Sequence, residues 1–459
     1  MFVEKLSSKE RRAIFSLSSI MSLRMMGLFM VLPVFSLYAS QLEGATPTLI
    51  GFSMGIYGLF QAIFQIPFGA LSDRLGRKPI IVLGLIIFAC GSLIAGLSHS
   101  IGWLIVGRSL QGAGAVGSTI LAFMADFTRE EQRTKAMAIA GITIGFSFSL
   151  AMLLGPVLTQ WLPVNSLFFL AIAFAFFGII LLYTAVPSSD KISWHRDTEP
   201  ELTSFPSLLI SPELARLNSG IFILHAIFTA SFIVIPLSLK QFSGFSIHQQ
   251  WQLYLPSLLA AFIISLVFIG MAERKQKLKP YFLSGISFLI IAEILLWLAP
   301  SRLLFMTLGV CFFFSSFSLL EAFLPSLVSR TAPATRKGSA LGIYSCCQFL
   351  GIFVGGALGG WLYGKFSFSG VYLLCIILAL IWLILAFFMR PPRYLVTRMW
   401  RILPSQQANW ESLAAKLRLI PGMIEVAFIA EDGIAYLKME QQTAKHPDLL
   451  HLKEQLQSE

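Results

Sequence analysis

Charged side chains are scarce in this sequence. Asp, Glu, Lys and Arg make up 12% of its 459 residues, whereas 56% are hydrophobic. An ordinary soluble domain is excluded, because about a quarter of its residues would be charged. The net charge is +11, but the cations lie in short loops between apolar runs and not on one basic face, so nucleic acid is not indicated as a partner. The composition predicts an integral membrane protein in contact with the lipid bilayer.

Cysteine and recognisable catalytic motifs are scarce as well. The five cysteines all lie in apolar runs, without the Cys-x-x-Cys pairs and histidines that are typical of metal sites. We therefore expect no disulfide and no metal. No phosphate-binding loop, strand-to-helix nucleophile elbow or metal-ligand cluster is recognisable, so we predict no enzymatic activity and no cofactor. The cysteines are Cys90, Cys311, Cys346, Cys347 and Cys375.

Long apolar runs alternate with short polar connections over most of the chain. Twelve runs are long enough to cross a hydrocarbon core of about 30 Å as helices. The first is longer than the core of a signal peptide and shows no small-residue cleavage pattern, so we expect it to be kept as a membrane helix. The runs lie at about 12–38, 48–71, 79–98, 101–125, 134–159, 165–186, 215–239, 249–271, 280–299, 302–326, 338–362 and 368–389.

The segments that connect these runs differ in their content of lysine and arginine from one side of the membrane to the other. The connections on one side hold twenty of them, whereas those on the other side hold three, Lys240, Arg302 and Lys365. Cytoplasmic loops of membrane proteins are enriched in Lys and Arg. We therefore predict a multi-pass protein of the inner (plasma) membrane with both termini in the cytoplasm.

A polar, proline-containing stretch divides the twelve runs into two sets of six, and its composition is typical of an extended linker. Pro33 and Pro236 are 203 positions apart, as are Arg133 and Arg336, which indicates an internal repeat. Many secondary transporters consist of two such halves with a site between them. The predicted units are a six-helix bundle at 1–189, a cytoplasmic linker at 190–214 and a second six-helix bundle at 215–390.

The last predicted unit, 394–459, has the composition of a soluble domain. Its apolar spacing predicts a strand at 396–403, a helix at 406–420, a hairpin at 423–438 and a second helix at 447–456. This order is most of a ferredoxin-like fold, without an obvious fourth strand. We expect the domain to support self-association or ligand binding.

A charged loop between the second and third runs is the most informative stretch. It reads Gly-Ala-Leu-Ser-Asp-Arg-Leu-Gly-Arg-Lys at 69–78, and a preference for the cytoplasm explains its Arg and Lys but not its acid or its glycines. This pattern resembles the signature loop of the major facilitator superfamily of transporters. The resemblance implies an all-α membrane protein with twelve transmembrane helices in two six-helix bundles, here followed by a small α+β ferredoxin-like domain. It also implies a small-molecule substrate and protons as partners.

Six residues in and near this loop are candidates for a conformational clamp. Span eleven begins just after Arg336, so its N-terminus carries exposed amides and a partial positive charge against which Asp73 could lie. Arg77 can pair with Asp126 at the end of span four. The clamp would form only with the cytoplasmic side closed and so favour the outward-facing state, and the two loop glycines are expected at close approaches or sharp turns. The six are Gly69, Asp73, Arg74, Gly76, Arg77 and Asp126.

Ionisable residues inside an apolar span are costly, so each one predicts a partner or a function. Glu321 is our first candidate for proton coupling, because a desolvated carboxylate can take up and release a proton as access changes sides; a structural hydrogen bond or ion pair is the alternative. Arg108, on one helix face with Gln111 and Gly112, resembles a second family signature whose arginine is associated with proton transfer. A helix–helix anchor is the alternative there. For Glu293 we expect hydrogen bonding or snorkelling.

Six polar residues are candidates for the lining of a substrate cavity. One arginine and one histidine lie near the middle of spans one and seven, which the repeat makes equivalent. A Tyr-x-x-x-Gln spacing recurs in spans two and eleven and places a phenol and an amide on one helix face; these two spans face each other in the superfamily fold. Interhelical hydrogen bonds are the alternative. The six are Arg24, Tyr57, Gln61, His225, Tyr344 and Gln348.

Two features depart from the drug-antiporter pattern of the superfamily. Related first spans have an acid where this chain has Arg24, so we hypothesise a cavity that attracts an anionic or zwitterionic amphiphile; a structural arginine is the alternative. In span five, Gly155-Pro156 matches the antiporter signature only in part, because Ala151 and Thr159-Gln160 replace its outer glycines. The Gly-Pro pair frees a backbone carbonyl and bends the helix, as a gate requires.

Three functions fit these patterns. We predict a proton-coupled exporter of small amphiphilic molecules that works by alternating access. The alternatives are an uptake carrier for an organic anion, and a transport-inactive membrane sensor that signals through the C-terminal domain.

Overall fold

The structure, a computed structural model, describes residues 6–187, 208, 210–246, 248–298, 302–333, 336–390, 395–402, 410–429, 433–440, 443, 446–449 and 452. Helices dominate these residues. The first half of the chain forms α1 (Ser8–Phe29), α2 (Leu32–Ala39), α3 (Pro47–Leu75), α4 (Arg77–Gly96), α5 (Ile101–Ala113), α6 (Gly117–Asp126), α7 (Glu130–Leu158) and α8 (Ser166–Thr184). The second half forms α9 (Pro212–Ser243), α10 (Trp251–Arg274), α11 (Leu278–Leu298), α12 (Leu303–Thr331) and α13 (Lys337–Phe387).

All twelve predicted spans are helical, although the first and the fourth are each interrupted and the last two are joined. Among the described residues, ten helical segments are long and apolar enough to cross a membrane. One predicted span is broken into α5 and α6, each too short alone, by residues 114–116. Two others are joined in α13, which has 51 residues and a non-helical Ser367 with φ 55° and ψ −152°.

The chain reverses direction at Ser367, as the contacts of α9 with α13 show. Along the first half of α13, Gly351 and Gly355 lie against Phe222 and Ala226 in parallel order. Along the second half the order is antiparallel, with Tyr372 beside Ser238, Cys375 beside Ser231 and Trp382 against Gly220. The helix therefore crosses the bundle twice, as the two apolar runs predict.

Local sequence sets several helix ends. Ser7 and Glu10 form a reciprocal capping box at the start of α1. Thr46 caps α3, whose first residue is Pro47. Gly76 alone separates α3 from α4, and its φ of 92° is one that a side chain disfavours.

The two halves of the chain pack most intimately where α3 begins. A Cβ atom on Gly51 would meet the carbonyl oxygen of Gly356 and the backbone of Gly360, so the α3 and α13 backbones touch directly. The contact continues at Gly55 and Gly58, which lie against Phe353 and Phe349 of α13. Small residues permit this approach, which is how membrane helices commonly associate.

The C-terminal residues form a small α+β unit. Strands β1 (Leu395–Arg401), β2 (Met423–Ile429) and β3 (Ile434–Glu440) make an antiparallel sheet in the order β1-β3-β2, and α14 (Trp410–Arg418) packs on it. Leu417 of α14 and Leu437 of β3 are buried in its core. The strand, helix and hairpin follow the ferredoxin-like prediction. Most of the second predicted helix lies outside the described residues, of which 447–449 and 452 are helical.

The second bundle begins slightly before the predicted end of the linker. The linker at 190–214 lies mostly outside the described residues, but α9 starts inside it, at Pro212. Proline at the first position of a helix is a good start signal, because its missing amide would be unpaired there in any case.

Candidate functional site

Arg24 is the centre of a polar cluster in the first bundle. Its side chain is 1% exposed. Nη2 donates to Gln61 Oε1 at 2.8 Å, to the Gly114 carbonyl oxygen at 3.1 Å and to the Tyr57 hydroxyl at 3.5 Å. These partners are all neutral, and Nε and Nη1 are buried without a hydrogen-bond partner. One guanidinium thus joins α1, α3 and the break between α5 and α6.

Arg108 approaches the same tyrosine from α5. Its Nη1 donates to Gln111 Oε1 at 2.7 Å. Its guanidinium carbon lies 5.1 Å from the centre of the Tyr57 ring and 5.5 Å from that of Phe35, within the range of a cation–π contact. The two helices can approach this closely because residue 112 is a glycine. A Cβ atom there would meet the Tyr57 carbonyl oxygen.

Glu321, His225 and Gln348 form a second polar cluster, in the other bundle. Gln348 Nε2 lies 3.1 Å from Glu321 Oε1 and 2.9 Å from His225 Nε2. His225 Nδ1 lies 3.3 Å from the Ile221 carbonyl oxygen, which fits a proton on Nδ1 and a lone pair on Nε2. His225 Nε2 and Glu321 Oε2 are 3.9 Å apart. Three helices, α9, α12 and α13, therefore supply one hydrogen-bonded acid, base and amide.

Glu321 is only partly exposed. Its side chain as a whole is 36% exposed, but Oε2 is buried and has no hydrogen-bond partner. Tyr344, one turn before Gln348 on α13, has a hydroxyl that is likewise buried without a hydrogen bond.

The two polar clusters flank one contact between the bundles. On α3, Gln61 lies between Gly58, which touches Phe349, and Ala62, whose carbonyl oxygen is 3.8 Å from Cys346 Sγ. On α13, Gln348 lies between Cys346 and Phe349, the residues that contact Ala62 and Gly58. The six predicted cavity residues therefore fall into two groups on either side of the α3–α13 contact, three in each bundle.

An aromatic cluster that is not among the predicted site residues lies between the two halves of the chain. Phe148 of α7 lies against Phe228 of α9 and Phe317 of α12, at centroid distances of 5.8 and 5.6 Å. Phe228 and Phe317 stack at 4.4 Å, and His225 lies 5.6 Å from Phe317. With 41 phenylalanines in the chain, nothing in the sequence distinguishes these from lipid-facing ones.

The two candidates for proton coupling lie apart. Arg108 and Glu321 are in different bundles and make separate hydrogen bonds. Among the described residues no carboxylate lies within ion-pair distance of Arg24 or Arg108. In this conformation Arg108 therefore has no neighbouring acid, among the described residues, whose pKa it could change.

Glu293 shares no hydrogen bond with either cluster and does not snorkel. It is fully buried in α11 and accepts a hydrogen bond from Ser231 Oγ at 2.8 Å. Of the two roles expected for it, the structure shows the hydrogen bond.

The signature loop forms a charged network at one end of the first bundle. Arg77 Nε donates to Asp126 Oδ2 at 3.0 Å, and its Nη1 donates to Ser72 Oγ at 2.7 Å and to Asp73. The contacts described for Asp73 are thus within the first bundle, and Arg74 is exposed. The close approach expected at Gly69 is absent here, since the nearest atom to a Cβ would be Ser118 Oγ at 4.0 Å.

The Gly-Pro pair of α7 packs on the break in the first span. A Cβ atom on Gly155 would meet the carbonyl oxygen of Met30, which lies between α1 and α2. Pro156 is inside α7, two residues before its end. The pair is therefore located where the end of α7 crosses the break between α1 and α2.

Comparison with known proteins agrees with this architecture. The family model described as Major Facilitator Superfamily matches residues 17–356 and 317–417. The chain belongs to the major facilitator superfamily. It is a membrane transporter of that family and not an enzyme, and as such it binds small-molecule substrates.

Relatives within the major facilitator superfamily cover most of the chain. The inner membrane transport protein YajR of Escherichia coli (strain K12) is 44% identical over 436 residues, 95% of this chain and 96% of that protein. The quinolone resistance protein NorA of Staphylococcus aureus (strain MRSA252) is 25% identical over 365 residues, 76% and 89% of the two chains. The crystal structure of a mutant of the nucleoside transporter NupG has the same fold, with a TM-score of 0.66, 13% identity and coverage of 82% and 99%.

Proposed function

We propose that this protein is a proton-coupled exporter of small amphiphilic molecules in the inner membrane, and that it works by alternating access. The observation that carries the proposal is the Glu321 cluster. A partly exposed carboxyl group inside a membrane span, whose second oxygen is buried and unpaired, can take up and release a proton as its access to water changes.

The cluster provides a place for one proton at a time. With Gln348 donating to both Glu321 Oε1 and His225 Nε2, the unpaired Oε2 is the free acceptor. A proton there neutralises the acid. A proton on His225 Nε2 instead replaces the amide hydrogen bond with an ion pair to Glu321, across the present 3.9 Å. Either change alters which side chains bind Gln348, and therefore how α13 is held against α9 and α12.

Alternation requires that the bundles close at one end at a time. In this structure α3 and α13 touch where α3 begins, which by the distribution of Lys and Arg is the periplasmic side. At the other end, Asp73 is held by Arg77. When that end closes, Asp73 meets the start of α13, and its charge interacts with the helix N-terminus. The Gly155-Pro156 pair acts as the gate at the periplasmic end of α7.

Export is supported by relatives whose names state drug resistance. NorA is a quinolone resistance protein, and another relative, from Bacillus subtilis (strain 168), is a multidrug resistance protein. The aromatic cluster at Phe148, Phe228 and Phe317 supplies an apolar surface between the bundles, next to His225, for the non-polar part of a substrate.

Proton flux in liposomes tests the proposal. The purified full chain is reconstituted with a pH-sensitive dye inside, and a panel of amphiphiles of each charge class is added. We expect at least one compound to drive proton movement in the wild type, and Glu321→Gln to abolish it. Glu293→Gln is the matched control, because that acid is buried, shares no hydrogen bond with either cluster, and as an amide keeps an acceptor for Ser231. Equal proton movement in Glu321→Gln and wild type, or none with any compound, would refute proton coupling.

A further inference from the structure

Two buried arginines of the first bundle have no carboxylate within ion-pair distance among the residues that the structure describes. Arg24 and Arg108 are 1% and 5% exposed. Their hydrogen-bond acceptors are two amides, a hydroxyl and a carbonyl oxygen. Removing an ion from water costs several kcal/mol (order of magnitude) unless a countercharge is present. Neutral dipoles compensate this cost in part.

Three guanidinium nitrogens remain unused. Nε and Nη1 of Arg24 and Nε of Arg108 are buried without a hydrogen-bond partner. Buried donors without acceptors are rare in proteins, and each one calls for an explanation. Both side chains contact Tyr57, Arg24 at its hydroxyl and Arg108 over its ring, so the two guanidinium groups lie beside one tyrosine.

We propose that Arg24 and Arg108 together bind the carboxylate of the transported molecule, which makes the substrate an amphiphilic organic anion. The guanidinium group presents paired N–H donors in a planar fork that matches a carboxylate. The apolar part of such a molecule fits the phenylalanine cluster between the bundles. This inference rests on the proposed transport function and specifies its substrate class.

The arrangement also separates the anion from the proton. The acid Glu321 and the base His225 are in the second bundle, across the contact that α3 makes with α13 at Ala62 and Cys346. A substrate anion at Arg24 therefore does not displace the proton from Glu321 directly. The carboxylate binds in the first bundle and the proton in the second. The carboxylate site includes side chains next to α3, the proton site includes a side chain of α13, and these two helices form the contact between the bundles.

Binding of matched compounds tests the substrate class without requiring transport. Cinnamate, cinnamylamine and cinnamyl alcohol share one apolar skeleton, and decanoate, decylamine and decanol share another. The purified full chain is titrated with each at neutral pH, and thermal stabilisation and heat of binding are measured. We expect the carboxylates to stabilise the wild type more than the amines and alcohols do.

Substitutions then assign the site. Arg24→Gln and Arg108→Gln should each raise the dissociation constant for the carboxylates about tenfold or more, because a charged hydrogen bond is lost. Arg24→Lys, which keeps the charge, should retain part of the affinity. Arg302→Gln, which removes an exposed arginine, is the matched control and should bind as the wild type does.

The outcomes separate this inference from the proposed function. Preference for the amines, no stabilisation by either carboxylate, or carboxylate binding unchanged in both Gln variants would overturn the inference. Proton flux driven by amines alone would do the same and leave proton-coupled transport intact. Carboxylate binding that depends on Arg24, together with no proton flux, would support the anion site and refute proton coupling.

Discussion

Lys438 of the C-terminal sheet donates a hydrogen bond from Nζ to the carbonyl oxygen of Ala332 at 2.6 Å. Ala332 follows α12 directly, and the lysine is 5% exposed. A side chain of the small domain therefore caps the end of a membrane helix, five residues before α13 begins. The orphan carbonyl groups at a helix C-terminus are suited to such a cation.

Replacing Lys438 with Met should release the small domain from α12. Met keeps the length and apolar stem of the side chain but cannot donate to Ala332. We expect the mean distance between spin labels on α14 and on the end of α12 to increase, with unchanged folding of the sheet by circular dichroism. Lys416→Met, at an exposed position on α14, is the control. An unchanged distance distribution would contradict a holding role for Lys438.

The docking of this domain should strengthen as pH rises in the alkaline range. Burial lowers the pKa of Lys438 from its ordinary value of 10.5; the nearby Lys337 lowers it further, while Glu425 opposes the shift. The docked state therefore binds fewer protons than the released state, so raising the pH towards 10.5 favours docking. The same spin-label pair should report more docked protein at higher pH. A shift in the opposite direction would show that the charged ammonium group is required for the contact.

Replacing Asp73 with Asn should slow transport without loss of protein. The substitution removes the charge that pairs with Arg77 here and that we place against α13 in the other state, so the outward-facing state becomes less populated. The rate of substrate-driven proton movement should fall, with abundance in the membrane unchanged. Glu411→Gln on α14 is a control of the same charge change. A wild-type rate from well-folded Asp73→Asn protein would eliminate the clamp.

Replacing Gly51 with Val should prevent the α3–α13 contact. Any side chain at this position would meet the Gly356 carbonyl oxygen and the Gly360 backbone. The bundles should then stay apart at that end, which can be measured as faster labelling of a cysteine placed near Gly360. Gly141→Val in α7 is the matched control, because a Cβ there has no atom within 4 Å. Equal labelling in the two variants would show that the contact does not close the pathway.

The spans and the order of the C-terminal strands could be predicted from the sequence because each depends on local periodicity. Twenty apolar residues form a membrane helix wherever they pack, and alternation over 396–403 indicates a strand before any partner is known. The break between α5 and α6 was not predictable in the same way, since residues 114–116 lie in a continuous run of small and apolar residues.

The partners of the buried charges could not be predicted, because they depend on packing between distant helices. The composition of span one shows that Arg24 is costly, but not that its acceptors come from α3 and from Gly114. Likewise, the i, i+4 spacing of Tyr344 and Gln348 places them on one face, whereas only the packing of α9 and α12 brings His225 and Glu321 to that face. Likewise, nothing in the sequence around Lys438 indicates that its side chain donates to the carbonyl oxygen of Ala332.

The direct contact of two backbones at Gly51 and Gly356 has a consequence for leakage. Where no side chain separates two helices, there is no room for a file of water along which hydronium could pass. Protons that reach Glu321 from the opposite end would therefore find no water-filled path along this contact. A transporter without substrate would then not dissipate the pH difference across the membrane along the α3–α13 contact.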